Sequence, residues 1–431
     1  MTLPPAYAPV ATRAREILRS KLLAFWNDQD GRGPGRSPLP GRSPWPFLAL
    51  LLALPCSCGG PRETGSCASC SAADAGAPAG ALPDGGGTPG DGGGPGGGIS
   101  CSAAPPSPTL VAVTGFVNPG NLLAYEHVPA GKLSGALVVA LHGCTQDAED
   151  FTNSGWSRAA DAYGLVVLYP EQQPGNNPDR CFNWFLAQDG DRDGEAASIA
   201  NAIAQEVTAH GLDARRVYVS GFSAGGAMAA VLLADYPNAG SDAALFHGFA
   251  GGQIVAGLPF RAACTGTDAS TCPSFGPGLS LLAMAGQVTH PPQWWGDCVR
   301  SESPQNTVWP RVTLWQGTDD AVVSPVNLAA LIQQWTNVWG VGSTPAATET
   351  VDGHAVALYE DTGGRVVVES HALAGMGHGV PIDPSGQLPN GSGGCGVAGS
   401  WFLDAGSCSV FRALQFWGEV PAGAGLAVCS P

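Results

Sequence analysis

Apolar residues fall along this chain in short continuous runs rather than in strict alternation. Residues 136–141 read ALVVAL and 165–170 read LVVLYP, with further runs at 217–220 (VYVS), 312–316 (VTLWQ) and 366–368 (VVV). Short runs that are apolar at every position fit strands buried on both faces, as in parallel sheets. Between several of them lie Ala-rich stretches of helical length, at 196–209 and 227–234. Strands alternating with helices predict the α/β class, a mainly parallel sheet with helices on both faces. In that architecture reactive side chains belong just past the carboxyl ends of the strands.

The pattern is different in the first hundred residues. Residues 47–54 read FLALLLAL, preceded by Arg32, Arg36 and Arg42 and followed by the small run Pro55-Cys56-Ser57-Cys58-Gly59-Gly60. A basic flank, a short apolar core and small residues predict an export signal region over 1–60, with an unusually long stretch before its core; a membrane-spanning helix would need about 20 apolar residues. Cys56 is a candidate for lipidation and hence for a membrane tether, although Pro55 suits such a cleavage site poorly. Residues 71–100 contain twelve Gly and four Pro, with Leu82 and Ile99 the only larger aliphatics. They cannot bury enough surface to offset the entropy of ordering, so 61–107 is expected to be a disordered, flexible linker. The folded catalytic domain is expected over 108–431, and no internal repeat suggests a solenoid.

Charge removes one class of partner. Against 19 Lys and Arg stand 35 Asp and Glu, a net charge of −16, with eight of the basic and seven of the acidic residues inside the first hundred. The folded part is therefore strongly acidic, which argues against tracking a nucleic-acid backbone. Of the thirteen cysteines, eight lie in the folded part: Cys144, Cys181, Cys264, Cys272, Cys298, Cys395, Cys408 and Cys429. In an oxidising compartment they are enough for four bridges, with connectivity left open. Cys67 and Cys70 have CxxC spacing, but no His or second pair lies nearby, so a thiol pair or disulfide is expected rather than a metal site. Residues 189–194 (DGDRDG) imitate the start of a calcium loop, yet the twelfth position is Ala200, where a bidentate Glu is required.

The chemistry concentrates at three strand ends. Gly221-Phe222-Ser223-Ala224-Gly225 is a G-x-S-x-G between the run VYVS and an Ala-rich segment, the setting of a nucleophile on a sharp strand-to-helix turn. A serine nucleophile needs a His base, itself oriented by a carboxylate. Asp319 and Asp320 follow VTLWQ, and only one of them can reach an imidazole; the other reads as a turn-stabilising residue. His378 follows the 366–368 run in the turn Gly375-Met376-Gly377-His378-Gly379, whereas His371 lies in or beside the strand and reads as structural. The order Ser, Asp, His is that of α/β-hydrolases, and a tethered binding module would need none of the three. Two backbone N–H groups should receive the oxyanion: that of Ala224, and one from His142-Gly143-Cys144, most plausibly Cys144. Tryptophans are core by default, though Trp184 and Trp294-Trp295 sit among Pro, Asn and Gln and could line a groove.

Several motifs in this order resemble the poly(3-hydroxybutyrate) depolymerase-like esterases. They are Leu141-His142-Gly143-Cys144-Thr145-Gln146, Tyr169-Pro170-Glu171-Gln172, Cys181-Phe182-Asn183-Trp184-Phe185, Gly194-Glu195 with Ser198-Ile199, Gly221 to Gly226, Gly317-Thr318-Asp319-Asp320, Gly375 to His378 and Phe416-Trp417-Gly418. The resemblance spans about residues 108 to 420 and implies an exported α/β-hydrolase serine esterase that acts on short-chain polyhydroxyalkanoates or their oligomers through an acyl-enzyme. Feruloyl and acetylxylan esterases, which act on plant cell-wall polysaccharide, are relatives and supply the alternative reading. By the same resemblance Asp320 takes the catalytic position beside Ser223 and His378, and Trp184, Asn183 and Gln146 lie near the substrate. Cys144 and Cys181 look like a bridge beside them. Phe222 stands where the family commonly has Leu. A secreted monomer without metal or organic cofactor is expected.

Overall fold

The five apolar runs all become strands of one sheet in a computed structural model of the protein, which describes residues 108–238, 246–269, 277–303, 308–389, 393–420 and 425–428. The expected export signal region, Cys56, the Cys67/Cys70 pair and the expected linker lie outside the described residues. Strands β1 (Val111–Ala112), β2 (Leu123–His127), β3 (Leu137–Leu141), β4 (Val166–Glu171), β5 (Val217–Phe222), β6 (Gly251–Val255), β7 (Arg311–Gly317), β8 (Ala347–Val351), β9 (His354–Glu360) and β10 (Val366–Leu373) form one sheet. Their spatial order is 1-2-4-3-5-6-7-10-9-8. From β4 across to β10 neighbours run parallel, and the strands outside them are antiparallel. The predicted parallel sheet thus forms the middle of a mixed one.

Alternation along each central strand divides the core in two. Leu137, Val139 and Leu141 face a core shared with the helices Gly194–His210, Ala224–Asp235, Pro292–Glu302 and Val326–Val338. Val138 and Ala140 face the other core, filled by Trp156, Ala159 and Ala160 of the helix Trp156–Tyr163 and by Phe411 and Leu414 of the helix Ser409–Trp417. Successive side chains of a strand point to opposite faces, so a sheet covered on both sides needs apolar residues at every position. The helix after β5 is buried along its entire length, which its composition, AGGAMAAVLLAD, permits.

β6 reads GGQIV and carries no strand pattern, for a steric reason. A Cβ at Gly252 would collide with the Leu233 side chain, and one at Gly251 would come within 2.7 Å of the Trp417 ring. Large neighbours fill the space that side chains would take. Gln253 is buried and satisfied: it accepts from Ser220 Oγ at 2.7 Å and donates to the Ser409 carbonyl at 2.8 Å, while Ser220 Oγ accepts from Trp156 Nε1 at 3.0 Å. Trp417 stacks over Tyr218 at 4.6 Å and Trp156 at 5.9 Å, fastening the last helix to the sheet.

Cysteine pairing follows the fold. Cys144 bonds to Cys181, as the resemblance implied, Cys395 bonds to Cys408, and Cys264 is also disulfide-bonded. Four bridges among the eight cysteines are not made, because Cys298 is a free thiol buried beside Trp294 and Trp295 in the first core. Burial pushes its pKa up to about 12, so it is inert. Trp295 is among the most deeply buried side chains, and Trp294 stacks on His290 at 3.5 Å, which makes the tryptophan pair core.

Replacing Trp417 by Ala removes both stacks and leaves a cavity above Tyr218. The expected loss of unfolding free energy is about 3–5 kcal/mol, read from urea denaturation followed by tryptophan fluorescence.

Candidate active site

The strand order reverses at β3: the chain passes to β4 on one side and then to β5 on the other. At such a switch point adjacent strand ends diverge and leave a crevice. Leu141 pairs in register with Gly221, so the turns after β3 and β5 begin side by side. Ser223 occupies the second turn with φ 56° and ψ −118°, a conformation costly for a residue with a Cβ. A Cβ at Gly221 would strike the Gly225 carbonyl, and one at Gly225 would strike the carbonyls of Leu141 and His142. Only glycine at both positions lets the turn close against the β3 end. The Ser223 N–H donates to the Val255 carbonyl at the end of β6, at 3.0 Å.

β7 and β10 are neighbours with Gly317 paired to Leu373, and the loops after them are stitched together. The Thr318 N–H donates to the Leu373 carbonyl at 2.9 Å, the Asp319 N–H to the Met376 carbonyl at 3.0 Å, and the Gly375 N–H to Thr318 Oγ1 at 2.9 Å. Asp320 and His378 thereby meet: Asp320 Oδ2 lies 2.7 Å from His378 Nδ1, and His378 Nε2 lies 2.9 Å from Ser223 Oγ. The remaining lone pairs of Asp320 accept from Gln316 Nε2 and from the N–H groups of Val322 and Val323, each at 2.8 Å. A carboxylate holding Nδ1 fixes the imidazole with its proton there, leaving Nε2 free to take a proton from the serine. Asp319 is exposed, its carboxylate accepting only from Thr318 Oγ1 at 3.1 Å. Of the adjacent pair, only Asp320 reaches the ring.

His371 is buried within β10, hydrogen-bonded to Glu369 at 2.6 Å and His354 at 2.8 Å and stacked on Trp315 at 3.5 Å. It is tied into the sheet and does not contact the serine. Phe222 instead packs its ring 4.7 Å from that of His378 and against Gly143, where a Cβ would come within 2.8 Å of it.

The loop after β3 is fixed by its own side chains. Gln146 Oε1 accepts from the Gly143 N–H at 2.8 Å, the Thr145 N–H donates to the Asp179 carbonyl at 2.7 Å, and the disulfide ties Cys144 to Cys181. His142 donates from Nδ1 to the Gly143 carbonyl at 2.7 Å and accepts at Nε2 from the Gln172 N–H at 3.0 Å. Complete burial holds its pKa down to about 4, so the ring stays neutral and keeps this pattern. Among the described residues, no acceptor within the protein takes the Cys144 N–H. The Ala224 N–H opens a helix and has no intrahelical partner.

Asn183 and Gln146 are both buried. Asn183 Nδ2 donates to Glu195 at 2.7 Å and its Oδ1 accepts from Asn177 at 3.0 Å, so most of its polar capacity is used inside the protein. Trp184 lines a shallow surface recess with Phe185, Val231, Phe260 and Arg261, a recess in which Ser223 and His378 take no part. The residue that sequence reasoning left without a role is Glu195. It accepts from the Asn183 N–H at 2.8 Å, from Asn183 Nδ2 and from Gln172 Nε2, and so pins the 172–183 loop that braces Cys144. Its only sequence signal was membership of the Gly194-Glu195 motif.

Burial pushes the Glu195 carboxyl up to about 8 against the pull of these donors. A raised folded-state pKa means that the native state holds the proton more tightly than the unfolded chain. The contribution to stability is full below the ordinary value near 4.5 and is lost as pH rises through about 8. Wild-type stability measured against Glu195→Gln should therefore fall from about pH 5 to about pH 9, in the variant's favour, as measured by denaturant unfolding of both at each pH.

Known proteins resemble this chain in sequence and in fold. Residues 123–263 match the family model described as Esterase PHB depolymerase. The chain is 40% identical to poly(3-hydroxyalkanoate) depolymerase C of Paucimonas lemoignei over 315 residues, covering 72% of this chain and 70% of that protein. It is 32% identical to feruloyl esterase B of Talaromyces stipitatus (62% and 71% covered) and 31% identical to an acetylxylan esterase of Coprinopsis cinerea (61% and 67%). Among solved structures, the acetyl xylan esterase from Aspergillus awamori superposes with a TM-score of 0.54 at 20% identity, covering 72% of this chain and all of that one, which shows a shared α/β-hydrolase fold. The chain belongs to the PHB depolymerase esterase family of carboxylic ester hydrolases.

Proposed function

We propose that the protein is an exported serine esterase that cleaves the ester bonds of poly(3-hydroxybutyrate) or its oligomers through an acyl-enzyme. The observation that carries this reading is the continuous hydrogen-bonded series Ser223, His378, Asp320 at a strand switch point. In the first half-reaction Ser223 Oγ bonds to the ester carbonyl carbon while its proton passes to His378 Nε2. Asp320, held by three further donors, stabilises the imidazolium without needing the proton itself. The carbonyl oxygen becomes an oxyanion facing the Cys144 and Ala224 amides. Collapse breaks the bond to the alcohol oxygen, which leaves with the proton from His378. A water molecule, deprotonated by the same nitrogen, then repeats the sequence and releases the acid and Ser223. These steps draw on side chains, amides and water alone.

The polyester substrate is favoured by the greater identity to the Paucimonas lemoignei depolymerase than to the feruloyl and acetylxylan esterases. Plant cell-wall esters are the second reading, supported by those two relatives. Export is supported by the residues 47–54 signal and by the disulfides, which persist in oxidising compartments. Lipidation of Cys56 would make the Gly-rich segment a tether, and a single chain contains every group the reaction uses.

Ser223→Ala is expected to abolish hydrolysis of a p-nitrophenyl ester while leaving the circular dichroism spectrum unchanged; retained turnover would refute the nucleophile. Wild type incubated with amorphous poly(3-hydroxybutyrate) should release soluble hydroxybutyrate, whereas ferulate or acetate release from xylan alone would transfer the proposal to the second reading. Gln146→Ala unties Gly143 from the loop that presents Cys144. Its kcat/KM should fall about 10²-fold, mainly through kcat, as expected when an oxyanion donor loses its fixed position.

A further inference from the structure

Among the described residues outside the active site, two groups of acidic and His side chains gather closely enough to hold a cation: Asp191, Asp235 and Glu302, and Glu126, Glu206 and His210. The first already has its counter-charges. Arg261 lies 2.8 Å from Glu302 and 3.7 Å from Asp191, and Arg192 lies 3.3 Å from Glu302. Guanidinium groups take the place of an ion there.

The second group has no such cation. Glu206 and His210 stand one turn apart on the helix Gly194–His210, and Glu126 approaches from β2, the second strand from the sheet edge. His210 Nε2 lies 2.6 Å from Glu126 Oε2 and 3.3 Å from Glu206 Oε2, and the donor atoms all fall within 4.8 Å of one another. The Glu206 side chain is 3% exposed, and its Oε2, turned toward the ring nitrogen, has no hydrogen-bond partner. A buried carboxylate oxygen without a donor is costly, and a metal ion is one of the few groups that would satisfy it and both partners at once.

We propose that Glu126, Glu206 and His210 bind one zinc ion, or a similar first-row divalent cation, near the edge of the sheet. One imidazole nitrogen and two carboxylate oxygens suit such an ion; tetrahedral donors at about 2.0–2.2 Å from it stand roughly 3.4 Å apart, which matches the 3.3 Å between His210 and Glu206 and requires the 2.6 Å between His210 and Glu126 to open as the ion enters. Calcium would call for about six to eight oxygens at longer range. His210 ends its helix, where the exposed carbonyls favour positive charge. His210 and Glu126 are partly exposed, at 22% and 16%, which gives the ion a path from solvent. Glu126 pairs with Leu168 midway along β4 and His210 ends the helix that leads into the amino end of β5, whereas Ser223 follows the carboxyl end of β5. The ion would sit away from the reacting groups and clamp the antiparallel edge onto the long helix.

The test is zinc titration of the full chain after chelator treatment and dialysis, by calorimetry and by thermal unfolding, with cobalt(II) absorption as a ligand probe. One ion per chain should bind, raise the unfolding temperature, and give visible cobalt bands without thiolate charge transfer. Glu206→Gln and His210→Gln should weaken binding at least about tenfold and lose the thermal shift. Should either variant fail to fold, Glu126→Gln at the more exposed edge carries the same expectation. No saturable binding, or binding unchanged in the folded variants, would overturn the site and leave a His–Glu ion pair alone. Thiolate bands would overturn it too, by placing the metal on cysteine.

Discussion

The geometry of the active site depends on one strained turn, the left-handed backbone of Ser223. A residue with a Cβ at φ 56° costs of order 1–3 kcal/mol and persists only where the surroundings over-determine it. Three features do so here. The Val255 carbonyl takes the serine N–H, Gly221 and Gly225 let backbone meet backbone, and the helix that follows is anchored by burial on every side. The turn carries Oγ to within hydrogen-bonding distance of the imidazole and puts the next amide, that of Ala224, at the helix start, where it has no intrahelical partner. Strain, exposed donor and positioned hydroxyl are consequences of the same close approach of β3, β5 and the helix.

The other groups are held by saturation with hydrogen bonds rather than by strain. Asp320 accepts from four donors, so its orientation toward His378 leaves it no alternative arrangement of equal energy. The loop after β3 is fastened in layers: Gln146 to Gly143, His142 to the Gln172 amide, and Gln172 and Asn183 to Glu195. Buried networks of this kind rigidify what they surround, and in this one, among the described residues, the one side-chain donor left over is Gln146 Nε2. The burial that makes the Glu195 carboxyl pH-sensitive also holds the 172–183 loop, and with it the disulfide partner of Cys144, in place.

Packing in the sheet shows the same economy with space. Gly251 and Gly252 leave room for Trp417 and Leu233, and the polar line Trp156, Ser220, Gln253 and Ser409 crosses the sheet without leaving those contacts unmet. Trp417, which the family resemblance marked only as part of a closing motif, is the piece that joins the last helix to the sheet by ring stacking.

What the sequence alone determined was local. Apolar runs specified the central parallel strands because burial on both faces requires such residues at every position. G-x-S-x-G announced the strained turn because only glycine tolerates those contacts, and the order of motifs announced the family. The half-exposed edge strands and β6 were not legible, since exposure dilutes the apolar pattern in the former and neighbouring side chains replace it in the latter. Tertiary structure decided whatever depends on direction and distance between remote segments. It turned Asp320 inward and Asp319 to solvent, left Cys298 unpaired, placed Trp184 in a recess of its own, made Glu195 the anchor of a loop, and brought Glu126 beside residues some 80 positions away. A sequence records which chemistry each position can supply; which groups meet is set by the register of the sheet and the packing of helices on it.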